Sequence, residues 1–483
     1  MGILLSNSVV TIMPELLLAL SALVMLLIGA FKGDGFTLNQ IVLAKFVLLA
    51  TIFLVLIEPA DSQFAFSGMF IANSFTSFAK VVVLVGAILA LYLSLGYYRD
   101  NKLNRRPEFA VLVMLATLGM LLMISANNFL ALYMGLELQS LALYVLAAIH
   151  RNREKSSEAG LKYFVLGAIS SGMVLYGISM IYGFSGSIDF DILKGLYIND
   201  GGQLPIGVLT GVIFVIAGLC FKVSAVPFHM WTPDVYQGSP MPVTAFFAIA
   251  PKVAAMALFV RMLMHPFAGA VDQWQQVIIF VAAASMIIGA LGALMQTNIK
   301  RLLAYSSIGH MGYVLVGLAA ANSEGIRGIL LYLVIYVSLS AGMFACVMMI
   351  CKKGDKSQNI SSFSGLAKSR PYLALMIAVL MFSMAGIPPF AGFFGKFFIF
   401  LAAVKAGLYP LAVIGVLSSV IAAYYYLRII KIMYFDESSV NLDKSTQPEM
   451  RLVAITAALF NILFFIGFTP LLQSAQRAAG FLF

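Results

Sequence analysis

Apolar runs, most of them about as long as the 20 residues that a membrane-crossing helix needs, follow one another along nearly the whole chain. Short polar segments divide them. This pattern predicts helices at 8–30, 39–58, 72–97, 108–125, 128–149, 161–183, 205–226, 241–264, 273–296, 301–320, 327–350, 371–402, 408–434 and 451–473. Fourteen spans, an even number, would put both termini on one side of the membrane. The first run lacks the basic flank of a signal peptide and is long, so it reads as a retained transmembrane helix. No linker or soluble domain is apparent, and the longest polar stretches, near 184–204 and 351–370, are too short to fold alone. The expected fold class is an all-α polytopic membrane protein with one domain over 1–483. Within it lie three N-terminal helices (1–100), a first group (108–265), a second group (273–435) and a C-terminal helix (450–483).

Two runs are abnormal. The seventh passes into "SAVPFHMWTPD" (224–234), and the twelfth is cut by "SMAGIPPFAGFFGKFF" (383–398). Proline removes a backbone donor and clashes with the preceding turn, and Gly386, Gly392 and Gly395 loosen the second stretch further. Broken backbone at membrane depth requires protein or a wet cavity around it. The breaks lie five spans apart, so their helices would run in opposite directions. That arrangement predicts inverted-topology repeats, spans 4–8 and 9–13, around an ion site.

Composition agrees with the bilayer as solvent. The 483 residues are 61 % hydrophobic and 10 % charged, against about 25 % charged in soluble domains. The net charge of +10 sits in short loops rather than in a basic stripe with aromatics, which argues against a nucleic-acid partner. With the N-terminus outside, inward segments carry roughly four times the lysines and arginines of outward ones, Arg261 being counted among the latter. Cys220, Cys346 and Cys351 have no metal or iron–sulfur spacing, although Cys346 and Cys351 stay open as a pair. No phosphate-cradling or dinucleotide motif is present, so the chain is expected to carry no redox cofactor.

Ionisable residues inside the runs are the candidate chemistry. Glu137 lies in the fifth span, Lys222 one turn before the first break, Lys252 in the eighth span and Lys396 after the second break. Each central charge costs about 2.5–3.5 kcal/mol on insertion scales. Four would cost on the order of 10 kcal/mol, comparable with a whole protein's net stability. A lysine that loses and regains a carboxylate neighbour can release and load a proton. Glu137 and Lys222 are expected to form that pair, with Lys252 and His229 relaying and Lys396 as the far terminus. Lys162, which is expected to open the sixth span, and Lys300 are near helix ends, where snorkelling and function are both open. His310 divides in the same way between relay and satisfied core histidine. Lys45 and Lys80 read as snorkelling or locally paired, His150 and His265 as structural, Glu15 as a contact for a partner subunit or, in preference, a cap of the first helix after Pro14, and Asp234 as a turn or cap residue.

"FKVSAVPFHMWTPDVYQGSPMPVTAFFA" (221–248), "TNIKRLLAYSSIGHMGY" (297–313) and "AGIPPFAGFFGKF" (385–397) resemble the antiporter-like membrane subunits of proton-pumping NADH:quinone oxidoreductase, respiratory complex I. "MWTPDVYQGSP", a lysine rather than a glutamate at 396, and the end of the chain soon after the last span resemble the N-type branch of the family. The resemblance implies inverted five-helix repeats broken at the seventh and twelfth helices. It also implies a key glutamate at Glu137, a broken-helix lysine at Lys222, a relay through His229 and Lys252, and an exit lysine at Lys396. Lys162 and Lys300 match family lysines, whereas Lys80 has no place in the pattern.

The function expected is proton translocation along a Glu/Lys/His relay, coupled at a distance to quinone reduction. FMN, iron–sulfur clusters and quinone would belong to partner subunits. An M-type neighbour and small membrane subunits are the expected partners, and a bacterial plasma membrane with both termini outside is the expected location. A cation/proton antiporter or membrane-bound hydrogenase subunit is the alternative; a structural spacer and a small-solute transporter are further rivals.

Overall fold

The structure, a computed structural model, describes residues 8–59, 61–100, 105–199, 203–350, 358–437 and 447–482. Its helices are α1 (Met13–Lys32), α2 (Thr37–Ile57), α3 (Ser74–Asp100), α4 (Glu108–Ile124), α5 (Phe129–Ala147) and α6 (Glu154–Ser185). Next come α7 (Phe190–Asn199), α8 (Ile206–Val223), α9 (Trp231–Gly238), α10 (Met241–Met264), α11 (Val271–Leu294), α12 (Ile299–Ala319) and α13 (Ser323–Ile350). The last are α14 (Pro371–Ala385), α15 (Ala391–Lys405), α16 (Tyr409–Phe435), α17 (Pro448–Gly467) and α18 (Thr469–Gly480). Among the described residues, 12 helices are long and apolar enough to cross a membrane; the shorter α4 and α14 are also apolar and occupy two of the expected spans.

The differences from expectation have local causes. The sixth span begins at Glu154, not 161, so Lys162 lies two turns inside it. An antiparallel hairpin, β1 (Gln63–Ala65) with β2 (Phe70–Ala72), joins α2 to α3, which the all-α reading omitted. Pro470, at the start of α18, cannot donate to the preceding turn, and the last span bends there into an amphipathic helix. Arg261 is no loop cation: it is buried in α10 and donates to Asn127 Oδ1 at 2.8 Å. Cys220 and Cys346 are free and buried; Cys351, and with it the possible pair, lies outside the described residues.

All 24 residues of α10 are buried, and α3, α8 and α13 pack on it. By contrast α1 and α2 expose Leu20, Phe31 and Phe53, as a lipid-facing surface does. Since lipid supplies no hydrophobic drive between helices, close backbone approach at small residues has to hold them together. Gly119 of α4 is such a point: a Cβ there would come within 2.5 Å of Gln139 N and 2.7 Å of Gly135 O in α5. Gly289 of α11 meets Gly309 N and Tyr305 O of α12 at 2.5 and 3.0 Å, each atom 170 positions further along. The same offset relates the caps and loop contacts. Asn128 caps α5 and bridges Asp189, while Asn298 caps α12 and bridges Asn359.

Candidate functional site

Helix α8 stops at Ser224, which takes a left-handed conformation at φ 64°, and Ala225 N turns back to Cys220 O at 2.7 Å. Helix α14 stops in the same way at Gly386 (φ 86°), where Ile387 N bonds Phe382 O at 3.1 Å. Glycine adopts that conformation at little cost, whereas Ser224 must be held in it. Both breaks then contain a cis proline, Pro227 and Pro389. Every one of these positions is offset by 162 residues. The seats of the two lysines are not: Lys222 precedes its turn and Lys396 follows its own.

Lys222, 8 % exposed, donates to Ser140 Oγ at 2.7 Å and more weakly to Tyr144 OH at 3.5 Å, both on α5. Ser140 lies one turn beyond Glu137, so all three face α8 from one helical stripe. Glu137 is within electrostatic reach of Lys222 but forms no ion pair with it, and Glu137 Oε1 is buried without a hydrogen-bond partner. A serine hydroxyl takes the lysine here, and the carboxylate expected to pair with it stands one turn away, within electrostatic reach.

Lys252 follows Pro251 in mid-α10 and, 1 % exposed, hydrogen-bonds Ser307 of α12. Ser307 shares a 2.6 Å bond with Tyr336 OH. Three residues on, His310 Nδ1 meets Tyr332 OH at 2.6 Å and Nε2 meets Tyr426 OH at 3.1 Å. Tyr426 in turn meets Ser306 at 2.5 Å. The rings of Tyr313 and Tyr336 lie 6.0 and 5.7 Å from the imidazole, so four tyrosines enclose His310. It is within electrostatic reach of both Lys252 and Lys396. The Lys396 ammonium sits 4.8 Å over the Tyr313 ring and donates to Met384 O, Ala385 O and Ser419 Oγ at 3.1, 2.9 and 2.7 Å. Those carbonyls belong to the last turn of α14, where an orphaned C=O needs a donor and the helix dipole favours a cation.

The remaining sites divide. His229 lies half-buried in the first break, hydrogen-bonded to neither Lys222 nor Lys252. Lys300 does not snorkel: it is 1 % exposed and donates to Gln237 O at 3.0 Å and Ser239 O at 2.6 Å, fastening the end of α9 to α12. Asp234 is more than a turn residue, for it pairs with Lys162 at 2.9 Å and Arg301 at 2.6 Å. Burial alone would raise its carboxyl, but the hydrogen bonds from Lys162 and Arg301 outweigh that and hold it below the usual carboxylate range. His150 stacks on Tyr97, and burial followed by the Arg153 charge pushes it down to about 4. His265 pairs with Asp191 at 2.7 Å. Sequence reasoning missed the hydroxyls. The signal was present in "YSSIGHMGY" and in Tyr332 and Tyr336, where polar groups recur three or four positions apart inside apolar helices.

Two interrupted helices, with buried lysines held by serine, tyrosine and backbone groups around a buried histidine, define a class of polytopic membrane proteins with a polar interior. The family described as NADH:quinone oxidoreductase/Mrp antiporter, TM, matches residues 126–422. The chain is 53 % identical over 470 residues to NADH-quinone oxidoreductase subunit N of Rhodospirillum rubrum, covering 97 % of this chain and 96 % of that one. It is 52 % identical to the subunit N of Parvibaculum lavamentivorans, covering 96 % of each. A chain of respiratory complex I from Thermus thermophilus superimposes with a TM-score of 0.83 at 30 % identity, over 96 % of this chain and 99 % of that one. A chain of the Mrp complex from a Dietzia species, at 0.85 but 20 % identity over 99 % and 97 %, shares the fold. The chain belongs to the NADH:quinone oxidoreductase/Mrp antiporter membrane-subunit family.

Proposed function

We propose that the chain acts as the N-type antiporter-like subunit of a bacterial respiratory NADH:quinone oxidoreductase and moves protons across the membrane. Relatives at about half identity over nearly the full length support the assignment to that complex. They also disfavour an antiporter or hydrogenase subunit. The observation that carries the transport reading is the buried series Lys252–Ser307–Tyr336, His310, Lys396, in which each member can hold or pass a proton. The matching offsets of caps, glycine contacts and breaks support two repeats, α4–α10 and α11–α16. Quinone reduction in partner subunits would shift Glu137 relative to Lys222, and the lysine would then pass its proton towards Lys252 and Lys396. Moving one charge against 100 mV costs about 2.3 kcal/mol, within reach of one such rearrangement in a low-dielectric site. FMN, iron–sulfur clusters and quinone would be held by partners, among them an M-type neighbour and small membrane subunits. Both termini would face outward, an orientation that the bias of loop lysines and arginines supports.

The test is Lys222→Met in the assembled complex, scoring NADH:quinone turnover and proton pumping together. Both should fall by about tenfold, a barrier change of about 1.4 kcal/mol, while NADH oxidation by an artificial acceptor persists. Parental turnover and pumping would leave the chain as a spacer.

A further inference from the structure

Lys80, which the family resemblance leaves without a place, is wholly buried between two carboxylates in the N-terminal three helices. Its Nζ lies 2.8 Å from Glu15 Oε1 and 3.8 Å from Glu58 Oε1, and these side chains are 0 %, 2 % and 7 % exposed. Glu15 is therefore no helix cap, and Lys80 does not snorkel. The Phe70 ring of the hairpin closes the site, 5.0 Å from the ammonium. Two acids and one base leave an excess negative charge in a medium where an uncompensated ion is costly. Glu15 Oε2, on the same buried side chain, has no hydrogen-bond partner, an orphaned acceptor that an ion or a proton would satisfy. Burial raises the Glu58 carboxyl above its ordinary range; Lys80 pulls against that shift and Glu15 adds to it.

The site also has a way out. Ser77 donates to Glu58 Oε2 at 3.3 Å and lines a groove of about 660 Å³ between α3, α13, α17 and α18. Its lining is mostly apolar, from Phe78, Val81 and Phe460 among others, but Ser74, Ser474 and Arg477 add polar partners for water in a space far larger than one molecule needs.

We propose that Glu15, Lys80 and Glu58 form a second proton-binding site, separate from the lysine series, that holds one exchangeable proton on Glu58. The proton arrives from water in the groove by way of the Ser77 hydroxyl, bonds to a Glu58 oxygen, and leaves along the same path without any electron transfer. The site then carries one ammonium, one carboxylate and one neutral carboxyl, and its charge is balanced. It does not depend on whether the chain pumps, because its test reads a carboxyl group and not transport.

The experiment is infrared difference spectroscopy on the assembled complex at neutral pH, comparing parental protein with Glu58→Gln and Glu15→Gln. The parental spectrum should contain a protonated-carboxyl C=O stretch that shifts in D₂O, and Glu58→Gln should remove one carboxyl's worth of it. Glu15→Gln should remove the same intensity although Glu58 remains, because the excess charge is gone. Ser77→Ala should keep the band but slow its shift in D₂O. Variant spectra that superimpose on the parental one would overturn the proposal. So would a band that appears only when sodium is withdrawn, because the occupant would then be a metal cation.

Discussion

At the first break the lysine stands before the turn and reaches sideways to hydroxyls on a neighbouring helix; at the second it stands after the turn and reaches back to its own chain. The turn and cis proline of the two breaks match at a constant offset, yet the ammonium groups beside them are held differently. Lys396 supplies donors to two carbonyls that the end of α14 leaves open. Lys222 bonds no backbone carbonyl; its partners are the hydroxyls of Ser140 and Tyr144. A charge that completes a helix end is tied to the fold, whereas one held by side-chain hydroxyls can change partners at low cost. The second arrangement suits a proton switch and the first suits a fixed terminus.

The contrast can be broken most directly at Lys396. Lys396→Met should strand two buried carbonyls, costing about 2–5 kcal/mol, and should appear as lost assembly or a lowered Tm of the complex. Lys222→Met should cost about 1 kcal/mol and leave assembly near parental, since Ser140 still donates to Leu136 O at 2.6 Å. Equal losses of assembly in the two variants would sink the distinction. A smaller effect is expected at the rim, where Asp234→Asn removes a half-exposed partner of Lys162 and Arg301. Its cost should be below about 1 kcal/mol. The sign follows from the lowered carboxyl: the contribution is complete above the ordinary carboxylate range and is lost only as pH falls through the lower folded value. Thermal scans of both proteins should therefore differ at neutral pH and converge in acid.

Much of this was legible in the pattern of the chain, and the reasons are physical. A membrane helix must satisfy its backbone internally, so span positions follow from apolar length; the eighth, expected and found at 241–264, is one case. The breaks were legible because Pro227, Pro388, Pro389 and Gly386 leave few other conformations. What escaped were pairings between distant segments. Nothing local says that Ser140 rather than Glu137 receives Lys222, or that Glu15 and Glu58 meet at Lys80. Lys300 stayed open between snorkelling and function because it opens a helix, yet the end of α9 supplies it with carbonyls. Nor does the local sequence say which groups His229 meets, and in the break it hydrogen-bonds neither Lys222 nor Lys252.

Helix α10 is enclosed by protein on every side. A helix with no face toward lipid or water has no freedom to tilt or slide without disturbing both halves of the bundle, so it behaves as a clamped rod. Pro251 has no N–H for the carbonyl of Phe247, which makes the rod compliant at a single point. Lys252 is attached at that point. Strain delivered to the rod from either half will therefore concentrate beside the ammonium, and α10 couples the two halves by stiffness everywhere except at Lys252.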